Sequence, residues 1–423
     1  MFNRTVFDNG LTVLTATMPH TRSVSICVFV GAGSRYETGD IAGVSHFIEH
    51  LPFKGTKKWP NAQRLSGLVE GVGGLMNAST DQEATIFWVK VSTMHFQQAL
   101  EVLSDIILCP LMKAEDIEKE RQVIIEELSM TNDYPSYRVD QLIDEMLWPE
   151  HPLGRDVGGT KDSVTGITRD QIIDFMKRQY VPRNTVISIA GDVSDDSAVT
   201  SVHKLFHRWG SDNMPIDWFP AMSNDDSSRV AVEYRKTDQA HVCIGLHGLS
   251  QDHPDRYALS LLSVILGEGM SSRLFVEIRE RLGLAYDIHS SVSTLRDCGS
   301  LVIYCGVKPS SAKSAISSIL HQLDILKDGV PVDELDKARE LVAGRLLLRM
   351  EDTRNVSMWL GMQQLLQGDV QTVDDVVKNL YQVTPDDILR VANNIVKINK
   401  IKLAVVGPFR SSKAFERLIT KYS

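Results

Sequence analysis

The strongest constraint on the fold of this 423-residue chain is that it repeats itself. Thr168-Arg169-Asp170-Gln171-Ile172-Ile173 resembles Thr384-Pro385-Asp386-Asp387-Ile388-Leu389, 216 residues further on. Each run begins with a threonine suited to capping a helix N-terminus and continues into an apolar helical pattern. Each helical pattern leads into a strand-like run, residues 185–191 in the first copy and 401–407 in the second. Gly191 and Gly407 are again 216 residues apart. The same offset pairs Cys27 with Cys243, inside strand-like residues 24–30 and 240–246. A constant offset at both ends of the repeat implies two copies of one α+β domain. The expected division is residues 1–212, a linker at 213–228, and residues 229–423. Residues 210–228 are rich in Asp, Ser, Pro and Asn, as a linker requires. Within the second copy, residues 334–350 predict an amphipathic helix with Leu335, Ala338, Leu341, Val342 and Leu346 on one core-facing stripe.

The two copies differ in chemistry. His46-Phe47-Ile48-Glu49-His50 reads H-x-x-E-H, the inverse of the commoner H-E-x-x-H. On a helix, residues four apart share a face, so His46 and His50 can aim two imidazoles at one metal ion. Glu49 lies on the same side, where it can take a proton from an attacking water. At the repeat offset these three positions are Leu262, Ile265 and Leu266, so only the first copy can hold the metal. A five-residue pattern can arise by chance, and catalytic zinc wants a third protein ligand. The run Ile117-Glu118-Lys119-Glu120-Arg121-Gln122-Val123-Ile124-Ile125-Glu126-Glu127 is a strong helical pattern. Glu120 and Glu127, seven residues apart, share a face, whereas Glu126 points roughly 100° away from Glu127.

Composition is that of an ordinary globular chain, with 43% hydrophobic and 23% charged residues. The formal net charge of −9, from 54 acidic and 45 basic residues, argues against a nucleic-acid partner and is compatible with basic ligands. No apolar run reaches the length of a membrane span. The chain enters folded-looking sequence directly after Met1-Phe2-Asn3-Arg4-Thr5, without the pattern of a signal or transit peptide. Its five cysteines (Cys27, Cys109, Cys243, Cys298 and Cys305) lack C-x-x-C spacing and read as reduced residues of a cytosolic compartment. A bacterial cytoplasmic location is expected, with the mature form of a mitochondrial matrix protein as the alternative.

The chain resembles the M16 family of zinc metallopeptidases, the pitrilysin and insulin-degrading-enzyme family. It is most similar to the M16B branch, which contains the mitochondrial processing peptidase β subunit and bacterial homologues. The residues that carry the resemblance are Phe7-Asp8-Asn9-Gly10-Leu11, Gly31-Ala32-Gly33-Ser34-Arg35, His46 onward through Phe53-Lys54-Gly55-Thr56, Gly73-Gly74-Leu75-Met76-Asn77-Ala78, and the glutamate helix. The resemblance implies two M16-type (LuxS/MPP-like) domains, each a mostly antiparallel sheet packed with helices, together forming half of a clamshell. It implies one zinc ion per chain on His46, His50 and Glu127, with Glu49 as general base and Glu120 orienting a ligand histidine. The double glutamate permits a one-residue slip, so Glu126 stays open as the third ligand. Arg279 and Tyr286 match the family's substrate- and oxyanion-contacting pair. Read alone, they would be a solvated helix face and a core aromatic. Asn77, Ala78 and Ser79 resemble the family's substrate-binding edge strand.

The activity implied is endopeptidase cleavage of peptides or unfolded segments, presequence-like basic peptides among them, in the closed chamber of a homodimer. A scaffolding relative, like the core subunits of the respiratory bc1 complex, and a subunit needing a different partner chain are the competing expectations. One departure from the family pattern is Pro52, which is expected to end the zinc helix early without removing its ligands.

Overall fold

The computed structural model describes residues 2–210, 213–222 and 228–421. In chain order the first copy carries strands β1 (Asn3–Val6), β2 (Thr12–Thr17), β3 (Ser23–Val30), β4 (Leu75–Thr80), β5 (Thr85–Ser92) and β6 (Thr185–Gly191). Its helices are α1 (Val44–His50), α2 (Ala62–Glu70), α3 (Phe96–Leu108), α4 (Ala114–Asp133), α5 (Pro135–Leu147), α6 (Lys161–Gly166), α7 (Arg169–Gln179) and α8 (Asp195–Phe206). The second copy carries β7 (Val230–Tyr234), β8 (Ala240–His247), β9 (Ala285–Thr294), β10 (Gly299–Val307) and β11 (Lys402–Gly407). Its helices are α9 (Arg256–Gly267), α10 (Ala312–Ile325), α11 (Val332–Arg349), α12 (Thr353–Gln367), α13 (Val373–Gln382), α14 (Pro385–Ile395) and α15 (Lys413–Lys421).

The repeat seen in the sequence is visible element by element. Thr168 and Thr384 both cap their helices through a reciprocal pair of hydrogen bonds with the third helical residue, Gln171 in α7 and Asp387 in α14. The first sheet runs β1-β2-β6-β3-β5-β4 and the second β7-β11-β8-β10-β9. Each contains one parallel pair, β2 with β6 and β7 with β11, and is otherwise antiparallel. Removing β1 leaves two sheets of the same order, so the two domains are copies in topology as well as in sequence.

The compact units do not follow chain order. One comprises residues 1–128, 156–219 and 347–372; the other comprises 129–155, 220–346 and 373–423. Helix α12, from the second half of the sequence, therefore lies in the first unit, where it packs on β3 and β6. Helix α5, from the first half, lies in the second unit, packed on β8 and β11. These two helices occupy equivalent places in the repeat, so the exchange is reciprocal. In the first unit, Ser357 Oγ donates to Ser188 O at 2.8 Å and Thr353 Oγ1 lies 2.9 Å from Ser25 Oγ, pinning α12 to a sheet face otherwise lined by Phe29 and Cys27. In the second unit, Val139, Ile143 and Leu147 of α5 meet Cys243, Tyr304 and Ala404. The main core of the first unit lies on the opposite sheet face, where Val24, Ile26, Val28 and Val30 face α1, α3 and α7.

Residues 223–227 of the linker, and residues 211–212 just before it, lie outside the described residues. Residues 213–222 carry no helix or strand, and Trp218 lies beneath the Arg35 guanidinium at 4.3 Å from the ring centroid. The stripe expected on α11 is buried only at Leu335 and Ala338; Leu341, Val342 and Leu346 are half-buried, and Leu348 beyond them is 76% exposed. None of the five cysteines is joined in a disulfide. No described helix is long and apolar enough to cross a membrane.

Candidate metal centre

Helix α1 is two turns long and could not persist alone. It is held because Val44, Phe47 and Ile48 are buried in the first unit's core, which leaves His46, Glu49 and His50 on the opposite side. Its start is fixed by a close approach of backbones. Gly43 is left-handed, with φ of 93°, and a Cβ there would overlap the Gly158 carbonyl. The buried Glu37 carboxylate then accepts from the N–H groups of Gly43 (2.7 Å) and Ser45 (2.8 Å), satisfying donors the short helix cannot satisfy itself. Pro52 does end the α-helix after His50, but the chain continues as a tighter 3-10 turn, Leu51–Lys54. Both histidines remain helical.

The Nε2 atoms of His46 and His50 stand 3.2 Å apart. Oε2 of Glu127, from α4, lies 3.8 Å from each of them. Among the described residues these three form a group whose ligand atoms all fall within 4.8 Å of one another. Glu126, one position earlier on α4, is exposed and is not part of it. Two nitrogens each ~2.05 Å from a tetrahedral zinc ion would stand about 3.3 Å apart. The imidazole pair is thus already spaced for one ion, and with an oxygen donor it matches the usual hydrolytic donor set.

Glu120, one helical heptad before Glu127, is nearly buried, and its Oε2 lies 3.1 Å from His50 Nδ1. Its other oxygen lies 2.5 Å from Lys54 Nζ. The electrostatics of the pair of rings are uneven. Burial, with a smaller contribution from His50, pushes His46 down to about 4. Burial also pulls His50 down, but the Glu120 hydrogen bond and the charges of Glu127 and Glu49 outweigh it and hold His50 above its ordinary value. Burial raises Glu120 as well, yet hydrogen bonds from His50 and Lys54 leave it below the usual carboxylate range. Glu49 is raised by burial, opposed by hydrogen bonds from the Thr80 side chain and backbone. His46 Nδ1 is buried without a hydrogen-bond partner.

Asn77, Ala78 and Ser79 lie on β4, which among the described residues pairs with β5 alone and so forms an edge of the first sheet. Arg279 and Tyr286 belong to the second unit. Arg279 sits in a π-helical segment, Phe275–Arg281, and its guanidinium stacks between the rings of Phe275 (4.6 Å) and Tyr286 (4.9 Å). Tyr286 is the second residue of the edge strand β9 and is 78% exposed, so it is not a core aromatic. In the second unit the counterparts of the metal-site residues, Leu262, Ile265 and Leu266 on α9, are buried in apolar core. Sequence reading gave no role to Glu37, Lys54 or Thr80. Lys54 was detectable in principle, being four residues after His50; the contacts of Glu37 and Thr80 with α1 depend on tertiary packing and leave no spacing signal.

Among the described residues, one histidine–histidine–glutamate group stands in the first of two homologous domains, the plan of a family of metallopeptidases. Residues 12–161 match the family model "Insulinase (Peptidase family M16)" and residues 166–342 match "Peptidase M16 inactive domain". The chain belongs to peptidase family M16. It is 35% identical to an uncharacterised zinc protease of Streptomyces coelicolor, over 97% of this chain and 90% of that protein. It is 33% identical to an uncharacterised zinc protease of Bacillus subtilis, over 96% and 98% of the two chains. Among solved structures it is similar to a protease from Helicobacter pylori, with a TM-score of 0.92 and 26% identity over 96% of this chain and 99% of that one. A subunit of complex III from Candida albicans shares the fold, with a TM-score of 0.85 and 18% identity over 99% of each chain.

Proposed function

We propose that the protein is a zinc-dependent endopeptidase and that His46, His50 and Glu127 hold one zinc ion per chain. The observation that carries the reading is the convergence of two imidazole nitrogens and one carboxylate oxygen in a helix-borne site with Glu49 beside it. A zinc ion held there would supply Lewis acidity, polarising the scissile carbonyl and making an attacking water easier to deprotonate. Glu49 accepts that proton and returns it to the leaving amine; burial raises its proton affinity. Glu120 holds the His50 ring by its Nδ1.

Substrate is held by strand addition. The free edge of β4 at Asn77, Ala78 and Ser79 offers backbone donors and acceptors to an extended segment. Recognition through backbone tolerates many side-chain sequences and requires a flexible chain, so peptides and unfolded segments are the substrate class. The net charge of −9 favours basic, presequence-like peptides. Arg279 and Tyr286 of a second copy complete the site in a homodimer, steadying the oxyanion and the substrate inside a closed chamber. The bacterial sources of the relatives accord with a bacterial cytoplasmic location. A purely scaffolding role would place no demand on the donor set, which is complete here.

The test is cleavage of an internally quenched basic peptide by the purified protein, before and after chelation, with its mass measured in solution. The reading predicts cleavage by a dimer, loss of cleavage with chelator, and recovery on adding zinc. A zinc-loaded protein that cleaves no peptide would overturn it.

A further inference from the structure

We infer that Lys54 is a positioning residue of the metal centre, acting on His50 through Glu120; the inference rests on the zinc reading above. His46, His50 and Lys54 succeed one another at intervals of four residues, along α1 and the 3-10 turn that follows it. The turn is what brings Lys54 round to α4. Gly55 closes it with φ of 147°, and a Cβ there would stand 2.7 Å from Pro60 C, so the chain leaves the turn by a path open to glycine. Lys54 Nζ reaches Glu120 Oε1 at 2.5 Å while Glu120 Oε2 faces His50 Nδ1 at 3.1 Å. The Glu120 side chain is 5% exposed, whereas the Lys54 side chain is 36% exposed.

The direction of these hydrogen bonds follows from the donor inventory. A lysine ammonium has three donors and no acceptor, so Glu120 Oε1 accepts from it. The carboxylate is thereby held by an ionic contact on one oxygen, and its second oxygen is left to accept from His50 Nδ1–H. With the proton on Nδ1, the Nε2 lone pair points to where His46 Nε2 and Glu127 Oε2 converge. A buried carboxylate stripped of its cation is costly to keep in place. Without Lys54, Glu120 would be fixed at one end only, and the orientation it imposes on His50 would loosen. Lys54 touches neither metal nor substrate in this scheme; its effect is on how well His50 is presented.

The test compares wild type with K54M, K54R, E120Q and the K54M/E120Q pair. Zinc dissociation constants are measured by competition with a chromogenic chelator, and the visible absorption spectrum of the cobalt-substituted proteins is recorded. K54M should weaken zinc binding about 10- to 100-fold, the range typical of lost outer hydrogen-bonding partners. It should also shift the cobalt bands, and K54R should restore both. In the E120Q background the Lys54 substitution should add little further loss, because the route through Glu120 is already cut. Should K54M fold poorly, K54Q, which keeps a polar side chain but not the charge, carries the same comparison alone and in the E120Q background. Wild-type affinity and spectrum in K54M, or full additivity in the double variant, would overturn the role of Lys54 alone. A wild-type chain with no zinc affinity would instead overturn the metal-site reading on which it rests.

Discussion

Gly361 of α12 lies directly against the ring of Phe29 on β3, so closely that a Cβ at that position would overlap the aromatic carbons. The helix belongs to the second half of the sequence and the strand to the first, so this contact fixes how closely the exchanged helix approaches the sheet. Replacing Gly361 with Ala should force α12 off the sheet. The expected cost is about 1–3 kcal/mol, the usual range for overpacking, against the small gain alanine brings to an unconstrained helix. Urea unfolding of the variant checks it; unchanged or increased stability would show that α12 does not pack on Phe29 as described.

The third ligand can be resolved by a pair of neighbouring substitutions. Glu127→Gln should lose zinc, because it removes the carboxylate oxygen that faces both histidines. Glu126→Gln should keep zinc at wild-type level, since its side chain is exposed on another face of α4. Metal content after dialysis distinguishes them, and the reverse outcome would mean a one-residue slip in the ligand helix.

Asp144, on α5 in the second unit, is pushed up to about 7 by burial, with Asp140 and Glu145 adding to it. Its proton affinity is therefore higher folded than unfolded, and the folded state binds more protons between pH 3.8 and about 7. The stabilisation is fully present below the unfolded value and is lost as pH rises through the folded one. Going from pH 8 to pH 5, this group alone should contribute roughly 2–3 kcal/mol of added stability. Asp144→Asn should remove that pH dependence and be the more stable protein at pH 8. Parallel unfolding curves for both proteins at each pH would contradict the assignment.

Tyr286→Phe keeps the ring on which Arg279 stacks and deletes only the hydroxyl. If that hydroxyl steadies the oxyanion, kcat should fall about 10²- to 10³-fold while zinc content is unchanged. Activity within about twofold of wild type would confine Tyr286 to holding Arg279 in place.

Much of this was legible in the sequence, for definite physical reasons. The caps at Thr168 and Thr384 are local chemistry, and so were readable from six residues each. The offset of 216 residues carried the shared strand order, because two copies of one domain repeat their pairing as well as their pattern. The spacing of His46 and His50 gave their common face directly. What chain order concealed was the exchange of α5 and α12: an amphipathic helix states that it has a buried face, not which sheet covers it. Lys54 was visible within Phe53-Lys54-Gly55-Thr56 but silent, because Pro52 suggested a helix end while the 3-10 turn in fact carries the same face onward. Glu37 could not have been found, since its hydrogen bonds to Gly43 and Ser45 depend on how two loops pack.

Under the proposed function this centre binds zinc and Glu49 moves the proton. The most direct measurement is zinc content together with peptide cleavage, in wild type and Glu49→Gln side by side. Near-stoichiometric zinc in both proteins, with cleavage reduced at least about 10²-fold in the variant, is the predicted result. Wild-type cleavage by Glu49→Gln, or a wild-type protein that holds no zinc, would contradict it.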